Sequence, residues 1–274
     1  FTIDQANKGS GLFAYNSGTI QNLIVKNVKF DNTESLWVGI ICGWNNGNIT
    51  GCEVENMSIN ADALIGGIVG QNNGTITSCT TSGVIVAQQG TAGGIAGSCE
   101  SGSVTGCESS CSVKAGPLYT AAQSQFGGLI GSAKDTSILN CFATGAVTAE
   151  KAESVGGLIG YAETVSIGVE AGKKTTSDCN VTGGKYVGGF IGYCKGVTIT
   201  GLNGNEIESK GTVKGYCDVG GLIGSFQSIS NANYCKSSAK VFSVRTVSNP
   251  MQSTDVKFGG LIGSVWGSYV SYCE

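Results

Sequence analysis

Short apolar runs alternate with polar turn residues along the whole chain, and one apolar block recurs with glycines on either side. The block reads GGLIG at residues 127–131 and again at 156–160. With some drift it appears at residues 11–14, 39–43, 66–70, 93–97, 127–131, 156–160, 188–192, 220–224 and 259–263. The spacing of about 27 residues or slightly more, with insertions, is typical of one structural unit in a repeat protein.

A second position follows each block and is usually a cysteine. It closes short segments such as ITSC at Cys79 and ILNC at Cys141. The whole column reads Leu23, Cys52, Cys79, Cys107, Cys141, Cys179, Leu202, Cys235 and Cys273. A third column, four residues later, is usually small and includes Gly83, Cys111, Gly145, Gly183 and Ala239. A short aliphatic stretch completes the unit.

Each unit is too short for a pair of packed helices, and its residues favour strands and turns. The chain has 45 glycines but only 2 prolines, so it turns often while keeping its backbone N–H groups for sheet hydrogen bonds. We predict an all-β fold, a right-handed parallel β-helix (solenoid) of about nine coils with three short strands per coil. The glycine-flanked block is one of these strands, and residues 1–274 form this single solenoid.

Two adjacent aliphatic residues in each block raise a question about the surface. Leu129 and Ile130 are neighbours, and a regular strand would point one of them outward. Either a bend or a covering element keeps both inside, or the outer residues form an apolar surface stripe that binds a partner. That stripe would contain Ile130, Ile159, Ile191, Ile223 and Ile262.

The repeated motif is similar to that of a known family. Val or Phe before Gly-Gly-Leu-Ile-Gly, then Ile-x-x-Cys and Thr-Gly-x-Val, resembles the GLUG-motif repeat, most clearly at 126–160 and 187–224. This repeat occurs in bacterial and some protist surface proteins, including regions of IgA-specific metallopeptidases outside the protease domain. The resemblance implies a β-helical, exported and usually non-catalytic surface module, without catalytic residues to transfer. The regular cysteine column departs from the family pattern.

Charge is sparse and argues against two classes of partner. The formal net charge is −3, and the only arginine is Arg245, so we expect no basic surface for nucleic acid. No apolar run approaches the ~20 residues of a membrane-spanning helix, so we expect no membrane span.

The residue types also argue against an active site. The chain has no histidine, which excludes Ser-His-Asp and Cys-His arrangements. The carboxylate pairs Glu53 with Glu55 and Glu206 with Glu208 have counterparts such as Thr80 in adjacent coils, so they predict solvated strand faces. The block lacks the Gly-Lys-Ser/Thr ending of a phosphate-binding loop, and no Cys-x-x-Cys pair is present. We expect no catalytic, cofactor or metal site.

The twelve cysteines allow two interpretations. An even number fits an oxidised extracellular scaffold held by disulfides. A buried cysteine also packs as a small hydrophobe, and Leu23 and Leu202 in the same column favour a packed core, because leucine fills space but cannot form a disulfide. We expect mostly reduced thiols in the column Cys52, Cys79, Cys107, Cys141, Cys179, Cys235 and Cys273. The better disulfide candidates are Cys42, Cys99, Cys111, Cys194 and Cys217.

Three sets of residues are candidates for surface roles. Aromatic residues that closely follow the block either stack on sugars or on a neighbouring molecule, or fill corners of the fold: Trp44, Tyr161, Tyr193, Phe226 and Trp266. Insertions near 115–125, 168–177 and 245–257 are places where binding specificity can reside. Four sequons are compatible with glycosylation, at Asn48, Asn56, Asn73 and Asn180, although about as many are expected by chance.

These features favour a non-enzymatic structural or adhesive rod of a cell-surface or secreted protein, able to stack end to end into an extracellular filament. The alternative is a glycan-binding or polysaccharide-degrading β-helix enzyme. Phe1 is not a start residue, so we expect a mature or excised segment of a longer chain. Neither end predicts an amphipathic capping helix. The expected partners are further copies of the chain, stacked end to end or laterally, flanking domains of a longer chain, and glycans.

Overall fold

The strands of this protein form a parallel β-solenoid. The computed structural model describes residues 9–32, 36–117, 119, 124–244 and 256–274, and within these ranges every regular element is a strand. The strands form three sheets of nine strands and a fourth sheet of twelve. Equivalent strands of successive coils pair in parallel, as Ile191–Lys195 does with Ile223–Gln227. The predicted all-β parallel β-helix is therefore confirmed. The nine strands in each of the first three sheets correspond to nine coils in the described part of the chain.

Each of the first eight coils contributes in chain order to the first, second, third and fourth sheets, and the described strands of the last coil belong to the first three. The first sheet contains Gly9–Ser10, Trp37–Gly39, Leu64–Gly66, Thr91–Gly93, Gln125–Gly127, Ser154–Gly156, Tyr186–Gly188, Asp218–Gly220 and Lys257–Gly259. The second contains Phe13–Asn16, Cys42–Asn45, Val69–Asn72, Ala96–Cys99, Ile130–Lys134, Ile159–Glu163, Ile191–Lys195, Ile223–Gln227 and Ile262–Trp266.

The other two sheets complete the coil. The third contains Thr19–Gln21, Asn48–Thr50, Thr75–Thr77, Gly102–Thr105, Thr136–Leu139, Ser166–Gly168, Thr198–Thr200, Asn231–Asn233 and Tyr269–Ser271. The fourth contains Ile24–Lys26, Lys29–Asn32, Glu53–Ala61, Thr80–Ala87, Glu108–Ser109, Ser112–Ala115, Phe142–Ala149, Thr176–Gly183, Ile207–Lys210, Thr212–Gly215, Cys235–Ser237 and Lys240–Ser243.

The glycine-flanked block is a bend between two strands, which corrects the prediction that it is one strand. Gln125–Gly127 ends in the first sheet and Ile130–Lys134 begins the second, with Gly128 and Leu129 between them. Because the chain turns here, Leu129 and Ile130 both face the interior and are fully buried. A coil therefore crosses four sheets, one more than the three strands predicted.

The same bend removes the proposed surface stripe. Four of its five members, Ile130, Ile159, Ile191 and Ile223, are fully buried, and Ile262 in the last coil is half-buried. The alternative that a bend keeps both aliphatic residues inside is correct.

Glycine is required in the block because the outer faces of the first and second sheets lie against each other. A Cβ on Gly127 would collide with the carbonyl oxygen of Ile130 in its own coil. A Cβ on Gly192 would lie 2.5 Å from the backbone nitrogen of Val155. Backbone atoms cannot move aside as a flexible side chain can, so a residue larger than glycine forces the two sheets apart.

A second backbone feature explains the residue before each cysteine of the column. At this corner the chain adopts the left-handed conformation, with φ near +55° in most coils. The corner residues are Asn22, Gly51, Ser78, Gly106, Asn140, Tyr234 and Tyr272. Glycine and asparagine tolerate this conformation best, which accounts for their frequency here.

The interior is filled by ladders of equivalent apolar side chains. The third sheet contributes Ile20, Ile49, Ile76, Val104, Ile138, Ile167, Ile199 and Ala232, all of which are buried. Each member packs between its neighbours in the coils before and after it, so the core is continuous along the solenoid.

Candidate functional site

The cysteine column lies inside the solenoid, at the corner between the third and fourth sheets. The backbone N–H of Thr80 donates to the carbonyl oxygen of Cys52 at 3.0 Å, and that of Glu108 donates to Cys79 at 2.9 Å. This repeated bond stacks Cys52, Cys79, Cys107 and Cys141 on consecutive coils. Cys273 stacks in the same way on Cys235 in the last two coils, where the N–H of Glu274 donates to the Cys235 carbonyl oxygen.

The predicted membership of this column is wrong at Cys179. The N–H of Thr176 donates to the carbonyl oxygen of Cys141, so the buried Thr175 occupies the column position in that coil. Cys179 pairs instead with Gly145, in the column of small residues. The insertion of this coil ends just before the column residue, and spacing along the chain does not show where an insertion ends.

Leu202 is also misplaced, for the same reason. Ile207 is buried and pairs directly with Cys235, so it is the column residue of its coil. Leu202 lies in a loop and is 37% exposed. Gly183 pairs with Ala149 and is likewise outside the small column to which it was assigned.

The stacked thiols are packed as core groups. The Sγ atom of Cys79 lies 3.4 Å from the carbonyl oxygen of Thr77 and 3.8 Å from that of Ile49, one coil earlier. Cys107 lies between two other thiols, and its hydrogen bonds to Cys141 and Cys79, together with burial, raise its pKa well above the ordinary value. A thiol that remains protonated and has no access to solvent is a poor nucleophile.

The five cysteines predicted as disulfide candidates, Cys42, Cys99, Cys111, Cys194 and Cys217, are buried and form no disulfide in the structure. Each faces a different residue type in the adjacent coils; Cys194, for example, pairs with Ala162 and Phe226. Burial raises the pKa of Cys42 and of Cys99 to about 12. Their role as disulfide candidates stays a prediction.

A buried asparagine ladder was missed by the sequence interpretation. The side-chain amide of Asn16 donates to the Oδ1 atom of Asn45 at 2.7 Å, and that of Asn45 donates to Asn72 at the same distance. The Oδ1 atoms of Asn16 and Asn45 also accept from the backbone N–H two residues on, as from Gly47 at 3.2 Å. The signal in the sequence is Asn-x-Gly, which recurs three times at this position: 16–18, 45–47 and 72–74.

The outward columns of the first and second sheets face each other and form what we call the seam. Trp44, Tyr161 and Tyr193 belong to the second-sheet column of the seam. Trp37 packs on Trp44 and Tyr186 packs on Tyr193, each with ring centroids 5.0 Å apart. Tyr161 and Tyr193 stack in parallel at 5.4 Å. These rings contact one another and are half-buried, so corner filling describes them better than free binding platforms.

The other two candidate aromatics lie elsewhere. Phe226 points into the interior and is fully buried, which contradicts a surface role, because its neighbours in the same column are Cys194 and Val265. Trp266 is 60% exposed in the last coil, and its column partner is Gln227.

Outside the aromatic pairs, the seam also contains polar contacts. Ser264 donates to a carboxylate oxygen of Asp218 at 2.6 Å and lies 3.1 Å from the hydroxyl of Ser225. Tyr161 donates to Glu163 at 3.0 Å, and burial together with this bond raises the pKa of the phenol to about 12. The seam is a structural junction between two sheets.

The sequons lie at the surface to different degrees. Asn48, Asn56 and Asn180 are exposed, whereas Asn73 is half-buried. Asn56 donates to Asn27 at 2.7 Å and Asn180 accepts from the N–H of Thr212 at 3.1 Å, so both side chains already have partners. Glycosylation stays a prediction.

Glu53 and Glu208, one from each carboxylate pair considered for catalysis, lie along one outward column of the fourth sheet, whereas Glu55 pairs with Lys26 and Glu206 precedes the strand Ile207–Lys210. This column reads Ile24, Glu53, Thr80, Glu108, Phe142, Thr176, Glu208 and Lys236. Glu53 and Glu108 are separated by Thr80, as the spacing predicted, and Glu208 pairs with Lys210 at 3.0 Å. Arg245 lies outside the described residues.

A recess of about 640 Å³ opens on this face, and we call it the trough. Its lining includes Glu108, Asn140, Phe142, Glu170, Lys173 and Lys174. Phe142 is half-buried and stands where the neighbouring coils have Glu108 and Thr176. The sequence does contain a signal, since Phe142 directly follows a column cysteine, and the residue after every other column cysteine is polar.

Metal binding and membrane insertion each require a recognisable arrangement of residues. In the described ranges, no group of three or more His, Cys, Asp or Glu side chains is placed to hold a metal ion. The part of the chain that the structure describes also contains no helix with the length and apolarity to span a membrane.

Comparison with known proteins identifies the repeat. The family model of the GLUG motif matches residues 122–148, which contain the bend, the column Cys141 and all but the last residue of the fourth-sheet strand Phe142–Ala149. The β-solenoid structure fits a GLUG-repeat protein. No curated protein and no solved structure matches the chain.

Proposed function

We propose that this GLUG-motif β-helix is a non-catalytic structural rod of a cell-surface or secreted protein, and that its coils stack on further coils. The observation that carries the proposal is the open face of the last coil. Phe258, Val265 and Val270 lie in interior columns, yet they are 41%, 46% and 40% exposed. Side chains of this kind are buried where another coil follows, so the last coil presents a surface that a further coil fits.

The backbone of the same coil favours this partner. Ile262–Trp266 and Tyr269–Ser271 are the last described strands of their sheets, and each pairs with another described strand on one side only. Their free edges present unpaired N–H and C=O groups in the register of a parallel coil. A coil of a second copy, or a further coil of a longer chain, satisfies both the apolar columns and these edges, whereas a flat protein surface satisfies only one of them.

Electron microscopy and sedimentation of the purified chain test the stacking. We expect particles that lengthen with concentration, and we expect Val270→Lys to shorten them by placing a charge in the open interior column. Ser271→Lys is the matched control, because it adds the same charge one residue away on the outer face of the same strand. Short particles of the unaltered chain at every concentration contradict the stacking.

Location and adhesion are separate parts of the proposal. The resemblance to surface repeats and the predominance of uncharged polar residues on a rigid scaffold support an exported, adhesive role. Protease treatment of intact producing cells tests the location, since an external rod is released while cytoplasmic markers stay intact. Adhesion is measured as retention of beads coated with the chain on target surfaces, relative to beads coated with a denatured sample.

The absence of catalysis is testable on the same material. We expect no new reducing ends when the chain is incubated with polysaccharides. Turnover that is lost in Glu108→Gln, with the circular dichroism spectrum unchanged, establishes the enzyme alternative instead.

A further inference from the structure

The trough on the outer face of the fourth sheet has features that a rod does not require. Its position coincides with the inserted segment 169–175, which lies beside the sheet between the third-sheet strand Ser166–Gly168 and the fourth-sheet strand Thr176–Gly183. Phe142 forms part of the floor, and Lys173 and Lys174 on the insertion form one wall.

The wall is fixed by hydrogen bonds at both of its sides. Asn140 donates to a carboxylate oxygen of Glu170 at 2.8 Å and accepts from the N–H of Glu170 at 2.9 Å. The amide of Asn205, one coil further on, donates to the carbonyl oxygen of Glu170 at 2.8 Å. At the base of the insertion, Thr175 donates to the carbonyl oxygen of Gly168 at 2.6 Å. An exposed insertion held in this way keeps the recess open and shaped before any ligand arrives.

The recess continues along the column in both directions. Two smaller recesses, of about 190 Å³ and about 280 Å³, are also lined by Phe142 and reach Glu53 on one side and Glu208 on the other. These two residues are five coils apart. The trough and its two extensions, which we include in the trough from here on, therefore span about 24 Å at the spacing of parallel strands. A cleft of this length, with one aromatic ring near its middle, fits an extended chain better than a compact small molecule.

The chemistry of the lining indicates what kind of chain. The largest recess combines the hydroxyls of Ser78 and Thr105 with two carboxylates and two lysines, so its charges balance. The smaller recesses add carboxylates and only one further lysine. Such a surface offers hydrogen bonds to hydroxyl groups and repels an acidic polymer. A half-buried aromatic ring among these groups is suited to contact with the apolar face of a sugar ring.

We propose that the trough binds a neutral oligosaccharide, with one sugar ring stacked on Phe142. The carboxylates and hydroxyls of the adjacent coils accept and donate hydrogen bonds to the sugars on either side. The lysines of the insertion cover the opposite edge. This site is independent of the open last coil, so it does not require that the rod assembles.

Titration calorimetry of the whole chain with defined hexasaccharides tests the proposal. The probes are cellohexaose, laminarihexaose, chitohexaose and mannohexaose, with hexagalacturonate as the acidic comparison. We expect at least one neutral hexasaccharide to bind and hexagalacturonate to bind at least tenfold more weakly. Phe142→Thr is the principal variant, because Thr80 and Thr176 occupy the same column two coils before and one coil after, so the substitution suits the fold. We expect it to weaken binding at least tenfold.

Two further variants test whether binding depends on the trough itself. Tyr193→Ser is the matched control, because it removes a half-buried aromatic ring from the seam at a position where the next coil has Ser225. We expect binding within twofold of the unaltered chain. Asn140→Gly removes the support of Glu170 but keeps the left-handed corner, as Gly106 does one coil earlier. We expect a smaller loss than for Phe142→Thr.

Four results overturn the proposal. One is that the folded chain binds none of the four neutral hexasaccharides. Another is equal binding by the unaltered chain and Phe142→Thr. The third is preference for hexagalacturonate, and the fourth is loss of binding in Tyr193→Ser in place of Phe142→Thr. None of these results bears on stacking, which is measured separately by sedimentation.

Discussion

The middle of the solenoid and its last coil contain the same columns but differ in what covers them. Phe226 is fully buried, whereas Val265, which pairs with it one coil later, is 46% exposed. Ala232 is 1% exposed and its partner Val270 is 40% exposed. The residue types are equally apolar at both positions. Burial in this fold is therefore conferred by the neighbouring coils, and each coil depends on them for stability.

The strongest contrast is expected in cysteine reactivity. Cys273 in the last coil is half-buried, and the hydrogen bond from Cys235 lowers its pKa to about 6, while Cys107 in the middle is fully buried. We expect iodoacetamide to alkylate Cys273 at least about a hundredfold faster than Cys107, because the latter reacts only after local opening.

Mass spectrometry of peptides from the native chain, sampled over time, measures both rates. The alkylation rate of Cys273 should change little with pH near neutrality and should fall as the pH drops through about 6, because the thiolate is then protonated. Alkylation of Cys107 at a comparable rate contradicts the continuous core.

A second contrast concerns the shortening of side chains at two positions of one interior column. Ile199 is fully buried, and Val270 lies two coils later in the same column. Ile199→Ala should lower the free energy of unfolding by about 2–5 kcal/mol, because it leaves a cavity in a packed ladder. Val270→Ala should lower it by less than about 1 kcal/mol, because that side chain is already in contact with solvent. Urea unfolding followed by circular dichroism compares them, and equal losses contradict the contrast.

The second glycine of the block gives a third comparison. A Cβ on Gly221 would collide with the carbonyl oxygen of Gly260 and the hydroxyl of Ser237, whereas a Cβ on Gly260 would meet nothing within 4 Å. Gly221→Ala should destabilise the fold by about 1–3 kcal/mol through overpacking. Gly260→Ala should be close to neutral until a further coil stacks on it. The same urea experiment measures both, and a neutral Gly221→Ala shows that adjacent coils can move apart to accommodate a methyl group.

The smallest effect is expected for ion pairs between coils at the surface. Lys195 lies 3.2 Å from Glu163, and this contact with that of Tyr161 lowers the pKa of the carboxyl group. Lys195→Gln, which copies Gln227 of the next coil, should cost no more than about 1 kcal/mol. A carboxyl group with a lowered pKa stabilises the fold above its unfolded pKa, so any difference should begin to shrink below about pH 4 and be lost as the pH falls through the lowered pKa of the folded state. A larger loss at neutral pH indicates a role beyond charge.

The repeat period and the interior columns could be predicted because they depend on local sequence alone. The glycine block recurs with little change, and its aliphatic residues are buried wherever a coil covers them. The position of an insertion within a coil could not be predicted. Thr175 and Ile207 occupy column positions assigned to Cys179 and Leu202, because hydrogen bonds to the preceding coil, and not the spacing of cysteines, set the register.

The candidate sites were predicted less completely than the fold. The seam contains three of the five chosen aromatics, but Phe226 faces inward. The trough was not anticipated, because its wall and floor come from different coils. Asn140 and Glu170 are 30 residues apart and meet only when coils stack. The asparagine ladder had a recognisable Asn-x-Gly signal, whereas the trough had only the unusual Phe142.

The sequence by itself determined that this protein is a parallel β-solenoid, because a glycine-flanked apolar block at a regular period can be buried only by stacking on copies of itself. The tertiary structure alone decided that the block is a bend, which residues join each column, and which face carries a recess. Those outcomes depend on hydrogen-bond register and on how closely two backbones approach, and both are set between coils that lie far apart in the chain.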